Sequence, residues 1–376
     1  MKLFWKILLG LIGLGVLAIL AFGIWFYNTE LKVDELAIAA DDNQISKVEK
    51  ADAWLAKMQS DNKFNGGVLL IKNDSVLLKK AYGFTDHTET TPLSTASAFR
   101  LASVSKQFTA TGIMILKEKD SLDFDDTITK FFPELSYDKV TLRMLLNHTL
   151  GIPDAYMNYP EKYSDEVGDL LTNEKVVKLL AKDNPPFKNE PNSTYEYSNL
   201  GYVLLSATIE KVSGQSFENF MKTELFEPLG MKNTRVWNLL SEDKTFENKT
   251  ASFMNFRGSK EALSPEVLDG VSGDGAVFSS LDDFEIWNQF WYKNDILSQE
   301  TMNEAFKTPT LTTGSTSDYG FGWTVTPNAV WHNGSWLGAR TMIIRNFELK
   351  NCLVILDNSS SLHVDKIGQE LVKVFK

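Results

Sequence analysis

The sequence predicts a mixed α/β (α+β) domain, with one sheet assembled from distant parts of the chain and helices covering both its faces. Three observations predict it. Strand-like runs occupy Gly66 to Ile71 and Val76 to Tyr82, either side of Asn73-Asp74, a hairpin turn signal. Strand-like runs return near the carboxyl end, at Gly322 to Val325, Ala329 to His332, Arg340 to Arg345 and Cys352 to Leu356. Between them, from about Asp120 to Phe306, the chain reads as helices and loops punctuated by Pro133, Pro153, Pro185-Pro186, Pro228 and Pro265.

The remaining elements follow in order. Lys2 and Lys6 precede a charge-free run from Ile7 to Tyr27, close to the ~20 apolar residues that match a bilayer core. The leading lysines orient such a run with its amino end inside, and Trp25 and Tyr27 fall where an aromatic interface belt would lie. Residues 1–28 are therefore expected to be a single-pass membrane anchor that holds the remainder outside the cytoplasm, in a periplasmic setting. The alternative is a cleaved signal, and a secreted chain, with Ala21-Phe22-Gly23 as a poor cleavage site. Residues 29–44 are polar and acidic and read as a tether. The domain proper runs from 45 to 376. It begins with an amphipathic helix carrying Ile45, Val48, Ala51, Trp54, Leu55 and Met58 at helical spacing. A helical pattern runs from Ser103 to Lys117, and another closes the chain from Val364 to Phe375.

Composition excludes several classes. The net charge is -11 and no long Lys/Arg run occurs, so no nucleic acid partner is expected. The four histidines, His87, His148, His332 and His363, are scattered and no His-Glu-x-x-His occurs, so neither metal nor other cofactor is expected. Gly-x-Ser-x-Gly is absent, which argues against the nucleophile elbow of that hydrolase class. The single cysteine, Cys352, sits in a strand-like apolar run where a thiol behaves as a small apolar group.

Ser103 and Lys106 are the candidate nucleophile and its activator. A lysine three residues after a serine on a helix shares its face, and in a dry cleft it can serve as base for the hydroxyl. The spacing alone is weak, because Ser60, Ser136 and Ser241 also precede a lysine by three. Those three lie in polar, turn-like segments and read as solvated surface. Ser103 instead follows Phe99-Arg-Leu-Ala102 and opens an apolar helix with Phe108, Ile113, Met114 and Leu116. Two further segments carry chemistry. Tyr197-Ser-Asn199 before a helix can aim a phenol and an amide at one site; in the plain alternative Asn199 merely caps the helix. Trp331-His-Asn-Gly-Ser-Trp-Leu-Gly338 falls on a strand and turn, where Gly334 would let substrate backbone approach.

Phe-Arg-Leu-Ala-Ser103-Val-Ser-Lys106, Tyr197-Ser-Asn199 and His332-Asn-Gly334 stand in the order of the three motifs of the serine β-lactamase and penicillin-binding protein superfamily, which this chain resembles. Tyr-x-Asn makes it similar to the class C branch and its esterase and D-peptidase relatives. Leu145 to Gly151, Glu227 to Thr234 and Ser272 to Ser280 also fit, and the resemblance covers about Ile45 to Lys376. It implies a β-lactamase/DD-peptidase-like fold, with a central antiparallel sheet flanked by helices and an inserted, mostly helical region. It also implies an acyl-enzyme on Ser103, with Lys106 and Tyr197 sharing the proton work and either serving as base. Asn199, His332, Gly334 and Ser335 would bind substrate, and the backbone N–H groups of Ser103 and Ser335 would form the oxyanion hole.

The third segment departs from the Lys-Thr-Gly or Lys-Ser-Gly of β-lactamases. His332 need not be charged at neutral pH, and Asn333 lacks the hydroxyl. The expected substrate is therefore a small molecule or peptide bearing an ester, amide or D-amino-acid bond. The rivals are a membrane-tethered penicillin-binding sensor that acylates with little turnover, and a true β-lactamase. The sequence leaves oligomeric state open.

Overall fold

The computed structural model describes residues 32–376 except Thr245 and Arg257, together with Gly15, Ala18, Ile19, Phe22 and Gly23. A six-stranded sheet forms its centre, built from β1 (Gly66–Lys72), β2 (Ser75–Tyr82), β8 (Thr324–Val325), β9 (Val330–Trp336), β10 (Ala339–Asn346) and β11 (Asn351–Asp357). Its order is β2-β1-β11-β10-β9-β8, and every ladder is antiparallel. Two ends of the chain thus meet at β1–β11, as expected from strand-like runs far apart in sequence. The β1–β2 hairpin turns through Asn73 and Asp74, both at positive φ (49° and 65°), as a two-residue primed turn requires.

Side-chain alternation sorts the sheet into two faces. Val68 and Leu70 of β1 and Leu353 and Ile355 of β11 pack against α1 (Gln44–Ser60) and α5 (Val364–Leu371). Their neighbours Leu69, Ile71, Cys352, Val354 and Leu356 face the opposite way. There they meet α2 (Lys106–Glu118), α3 (Asn199–Ser213) and α4 (Leu281–Phe290). The chain ends cover one face and the inserted region the other. Every residue of α2 from Lys106 to Leu116 is buried, so this helix is enclosed on all sides.

Two small sheets complete the fold: β3 (Phe99–Arg100), β7 (Val277–Ser279) and β4 (Arg235–Val236) in the order β3-β7-β4, and the hairpin β5 (Phe253–Phe256) with β6 (Ser259–Ala262). The first fixes the strand that leads into Ser103 against the 272–279 segment, with Leu101 N donating to the Val277 carbonyl at 2.9 Å. The segment preceding α1 is docked as well. Val33 and Leu36 join the α1–α5 core, and Leu36 N donates to Glu370 Oε2 at 2.8 Å.

The membrane-anchored placement needs correction. The run from Ile7 to Tyr27 lies outside the described residues save for the five named above. Among the described residues no helix is long and apolar enough to cross a membrane. A crossing takes ~20 consecutive apolar residues, whereas α1, at 17 residues, is amphipathic. Neither the single-pass anchor nor a placement outside the cytoplasm is supported. Cys352 is a free, buried thiol whose burial pushes its pKa up to about 11, as expected of an inert strand residue.

Candidate active site

Ser103 is placed by a backbone turn. Ala102 adopts φ of 49°, a left-handed conformation that costs a non-glycine residue about 1–3 kcal/mol. The chain leaves β3 through this turn, forms a single 3-10 turn over Ala102–Ser105 and continues as α2. Strand β9 lies directly against it. A Cβ on Gly334 would sit 2.3 Å from the Leu101 carbonyl oxygen, 2.5 Å from Thr341 Oγ1 and 3.0 Å from Ser103 N. Sequence alone assigns this glycine to close approach of substrate. The backbone that approaches it is the chain's own 101–103 segment.

Lys106 is fully buried. Its Nζ lies 2.9 Å from Asn199 Oδ1, 2.9 Å from the Asp274 carbonyl and 3.3 Å from Ser103 Oγ. Asn199 Oδ1 and the Asp274 carbonyl can only accept, so they take two of the Lys106 N–H groups, and the remaining position on Nζ faces the serine hydroxyl. Asn199 is free for this task because the cap of α3 is Ser198, whose Oγ accepts from Gly201 N at 3.3 Å. The simple capping role weighed for Asn199 falls to its neighbour.

Of the other serine–lysine spacings, Ser60 and Ser136 are exposed as expected. Ser241 is not: it is 4% exposed and donates to Glu218 Oε2 at 2.8 Å. The turn-like composition around it conceals this contact across 23 residues. Its Lys244 points away, to the Leu239 carbonyl.

Asp154 carries the first turn of α3. Its Oδ2 accepts from Asn199 N at 3.0 Å and its Oδ1 from Leu200 N at 2.8 Å, an anion at a helix N-terminus. Sequence reasoning misses this residue, and nothing in Ile152-Pro-Asp154 announces it. Tyr156 is missed likewise; its hydroxyl donates to Asp274 Oδ2 at 2.6 Å.

Tyr197 is partly exposed, and its ring centre lies 4.8 Å from Lys106 Nζ, within cation–π range when the amine is charged. The ring packs at 4.4 Å on His148 and 6.3 Å from His332. His148 is fully buried, and its Nδ1 accepts from Ser198 N at 3.1 Å. Its Nε2 therefore carries the proton, and among the described residues it has no hydrogen-bond partner. Burial, and then the Lys106 charge, hold His148 well below the ordinary histidine range.

His332 is 4% exposed. Its Nδ1 lies 2.5 Å from the Asn333 carbonyl, which can only accept, so Nδ1 is the protonated nitrogen. Its Nε2 then accepts from the Tyr319 hydroxyl at 2.7 Å. Burial, followed by the Lys106 charge, pushes its pKa down to about 3. The third segment therefore presents a neutral imidazole.

A pH dependence follows. The unfolded histidine binds a proton near pH 6.5, the folded one only near 3. Between these values the unfolded chain holds more protons, so stability from this group is full above the unfolded value. It declines as pH falls, by about 1.4 kcal/mol per unit. His148 acts in the same direction, while Asp357, pushed up to about 6 by burial, acts in the opposite one. Urea unfolding of wild type and His332→Asn from about pH 7.5 to about 4.5 isolates the contribution. The wild type should lose its advantage on acidification; a constant difference would refute the assignment.

A cleft of about 270 Å³ is lined by Ser103, Asn199, Ser335, Tyr156, Asp274 and Trp336, among others, whereas Lys106, Tyr197, His332 and Gly334 are not part of its wall. The Ser335 hydroxyl accepts from the Arg340 guanidinium. A larger depression, about 830 Å³, shares no lining residue with the cleft and holds none of the candidate residues. Among the described residues no group of three His, Cys, Asp or Glu side chains could hold a metal ion.

Comparison with known proteins identifies the family. The beta-lactamase family model matches residues 51–372. Over 311 residues the chain is 37% identical to penicillin-binding protein 4* of Bacillus subtilis (strain 168), covering 79% of this chain and 68% of that protein. It is 24% identical over 356 residues to the putative penicillin-binding protein PbpX of the same strain, covering 93% and 84%. Among solved structures it is similar to the octameric penicillin-binding protein homologue from Pyrococcus abyssi. That match has a TM-score of 0.74 at 26% identity and covers 87% of this chain and 77% of that one. The chain belongs to the beta-lactamase family, within the serine β-lactamase and penicillin-binding protein superfamily of serine acylating hydrolases.

Proposed function

We propose that this chain hydrolyses an ester, amide or D-amino-acid peptide bond through an acyl-enzyme on Ser103. The observation that carries the reading is the buried Lys106 amine, held by two acceptor-only oxygens with its remaining position toward Ser103 Oγ. Ser103 Oγ attacks the carbonyl carbon as its proton passes to Lys106, or to Tyr197 beside it. The new oxyanion is held between the backbone N–H groups of Ser103 and Ser335, both residues of the cleft wall. Collapse breaks the bond to the leaving group, which departs with that proton. Water then adds to the acyl carbon, releasing the acid and returning a proton to Ser103, with Tyr197 assisting. Asn199 orients Lys106 and the substrate amide, and neutral His332 supports the Tyr197 side of the site. Without a cation at His332 the third segment gives a β-lactam carboxylate no charge partner, which favours ester and peptide substrates over β-lactams.

Incubation with a fluorophosphonate, followed by intact mass and peptide mapping, tests the reading. One adduct on the peptide containing Ser103 is expected; no adduct, or one mapping elsewhere, would sink it. A short-chain nitrophenyl ester, a D-Ala-D-Ala peptide and a chromogenic cephalosporin then define turnover. The first two should outpace the third. An adduct with fluorescent penicillin that persists for hours, with no turnover of any substrate, would favour an acylating sensor instead.

A further inference from the structure

On the cleft wall itself two carboxylates face one guanidinium; Lys106 is buried behind Ser103 with its Nζ on backbone and side-chain oxygens, and Arg340 is held by the Ser335 hydroxyl. The lining includes Arg100 against Asp269 and Asp274. Arg100 and Asp269 neutralise each other in a buried ion pair at 2.8 Å. The same Asp269 Oδ1 accepts from Trp336 Nε1 at 3.1 Å, and its Oδ2 accepts from Glu266 N at 2.7 Å. Asp269 is thus committed to the protein. Lys249 stacks over the Trp237 ring, 3.3 Å from its centre, and is not part of the cleft wall. His332 contributes no charge.

Asp274 differs. Its backbone carbonyl holds Lys106, while its carboxylate, only partly buried, accepts from the Tyr156 hydroxyl. Burial, and then Asp274 itself, push the Tyr156 phenol well above its ordinary value, so it remains a donor. Among the described residues Asp274 makes no ion pair within 4 Å. A carboxylate held by one phenol in a cleft beside a nucleophile retains acceptor capacity for a ligand.

Resting on the acyl-enzyme reading above, we infer that Asp274 is a specificity-determining residue. It selects substrates that carry an ammonium group close to the reactive carbonyl and disfavours those with a carboxylate there. The ammonium would donate to the free lone pairs of Asp274, forming a charge-assisted bond.

Protection of Ser103 from fluorophosphonate labelling tests this without requiring turnover. The ligands are D-alanine anilide, its N-acetyl form and its N-succinyl form, which share one shape at the carbonyl and differ in charge. In wild type the cationic ligand should protect at about tenfold lower concentration than the neutral one, as loss of a hydrogen bond to a charged group implies. The anionic ligand should protect least. In Asp274→Asn, which keeps an acceptor for Tyr156, the cationic-to-neutral ratio should fall close to one. General damage would slow labelling for every ligand and leave the ratio intact. Equal protection by all three, or an unchanged ratio in the variant, overturns the inference alone. No labelling of Ser103 in wild type overturns the acyl-enzyme reading itself.

Discussion

Replacing Lys106 by Met is expected to lower kcat/KM for an ester or amide substrate by about 10³–10⁴-fold, the upper range for loss of a positioned base. Ser103→Ala should lose at least as much and should abolish fluorophosphonate labelling. The double variant should be no worse than Ser103→Ala, because groups that act as one unit are not additive. The 3.3 Å contact between Lys106 Nζ and Ser103 Oγ makes them such a unit. Folding should respond differently. Met has nearly the same length and removes a buried amine, which favours the variant. It also strips the donor from Asn199 Oδ1 and the Asp274 carbonyl. Each lost partner costs about 1–3 kcal/mol when left dry, but water can enter from the adjoining cleft. Unfolding free energy should therefore stay within about 2 kcal/mol of wild type in urea. Activity within tenfold of wild type would remove Lys106 from the mechanism; a collapsed fold would make its role structural.

The framework of this site is legible in the sequence because its elements have periodicity or turn chemistry. Short apolar runs mark β1, β10 and β11, Asn73-Asp74 marks the hairpin, and the apolar spacing after Ser103 marks α2. The groups that complete the site have no such signal. Asp154 and Asp274 act from loops and Tyr156 from a single 3-10 turn, and each becomes meaningful only through a contact across 45, 118 or 168 residues. His148 stands in a recognisable segment, yet its place beneath Tyr197 depends on a left-handed backbone (φ 58°) and on packing among four tyrosines. His332 is legible as a candidate residue, but its neutrality comes from its burial. The Ile7 to Tyr27 run shows the opposite hazard: hydropathy and flanking charge give a strong local signal, and the described residues supply no spanning helix to support it.

The charges of the site are mutually dependent. Burial first, and then the Lys106 charge, holds both His148 and His332 below the ordinary histidine range, so neither adds a cation to the site.

Gly334→Ala should show how tightly nucleophile and strand are packed. The added Cβ would lie 2.3 Å from the Leu101 carbonyl oxygen and 3.0 Å from Ser103 N, and both are backbone atoms that cannot swing aside. Overpacking of this kind destabilises by about 1–3 kcal/mol. The catalytic penalty should exceed what stability alone explains. Relief requires the 101–103 segment to move from β9, and a displacement of ~1 Å can reduce rate by about 10²-fold. The oxyanion donors should be parted by the same movement, so kcat should fall more than KM changes. The third contact, 2.5 Å to Thr341 Oγ1, is a side chain, and Thr341→Ala would remove it. That substitution also deletes the bond from Thr341 Oγ1 to the Leu101 carbonyl, 2.8 Å long. The double variant should therefore recover little. Full recovery of kcat in Gly334→Ala/Thr341→Ala would show that the side-chain clash, and not the apposition of β9 to the Ser103 backbone, sets the requirement for glycine.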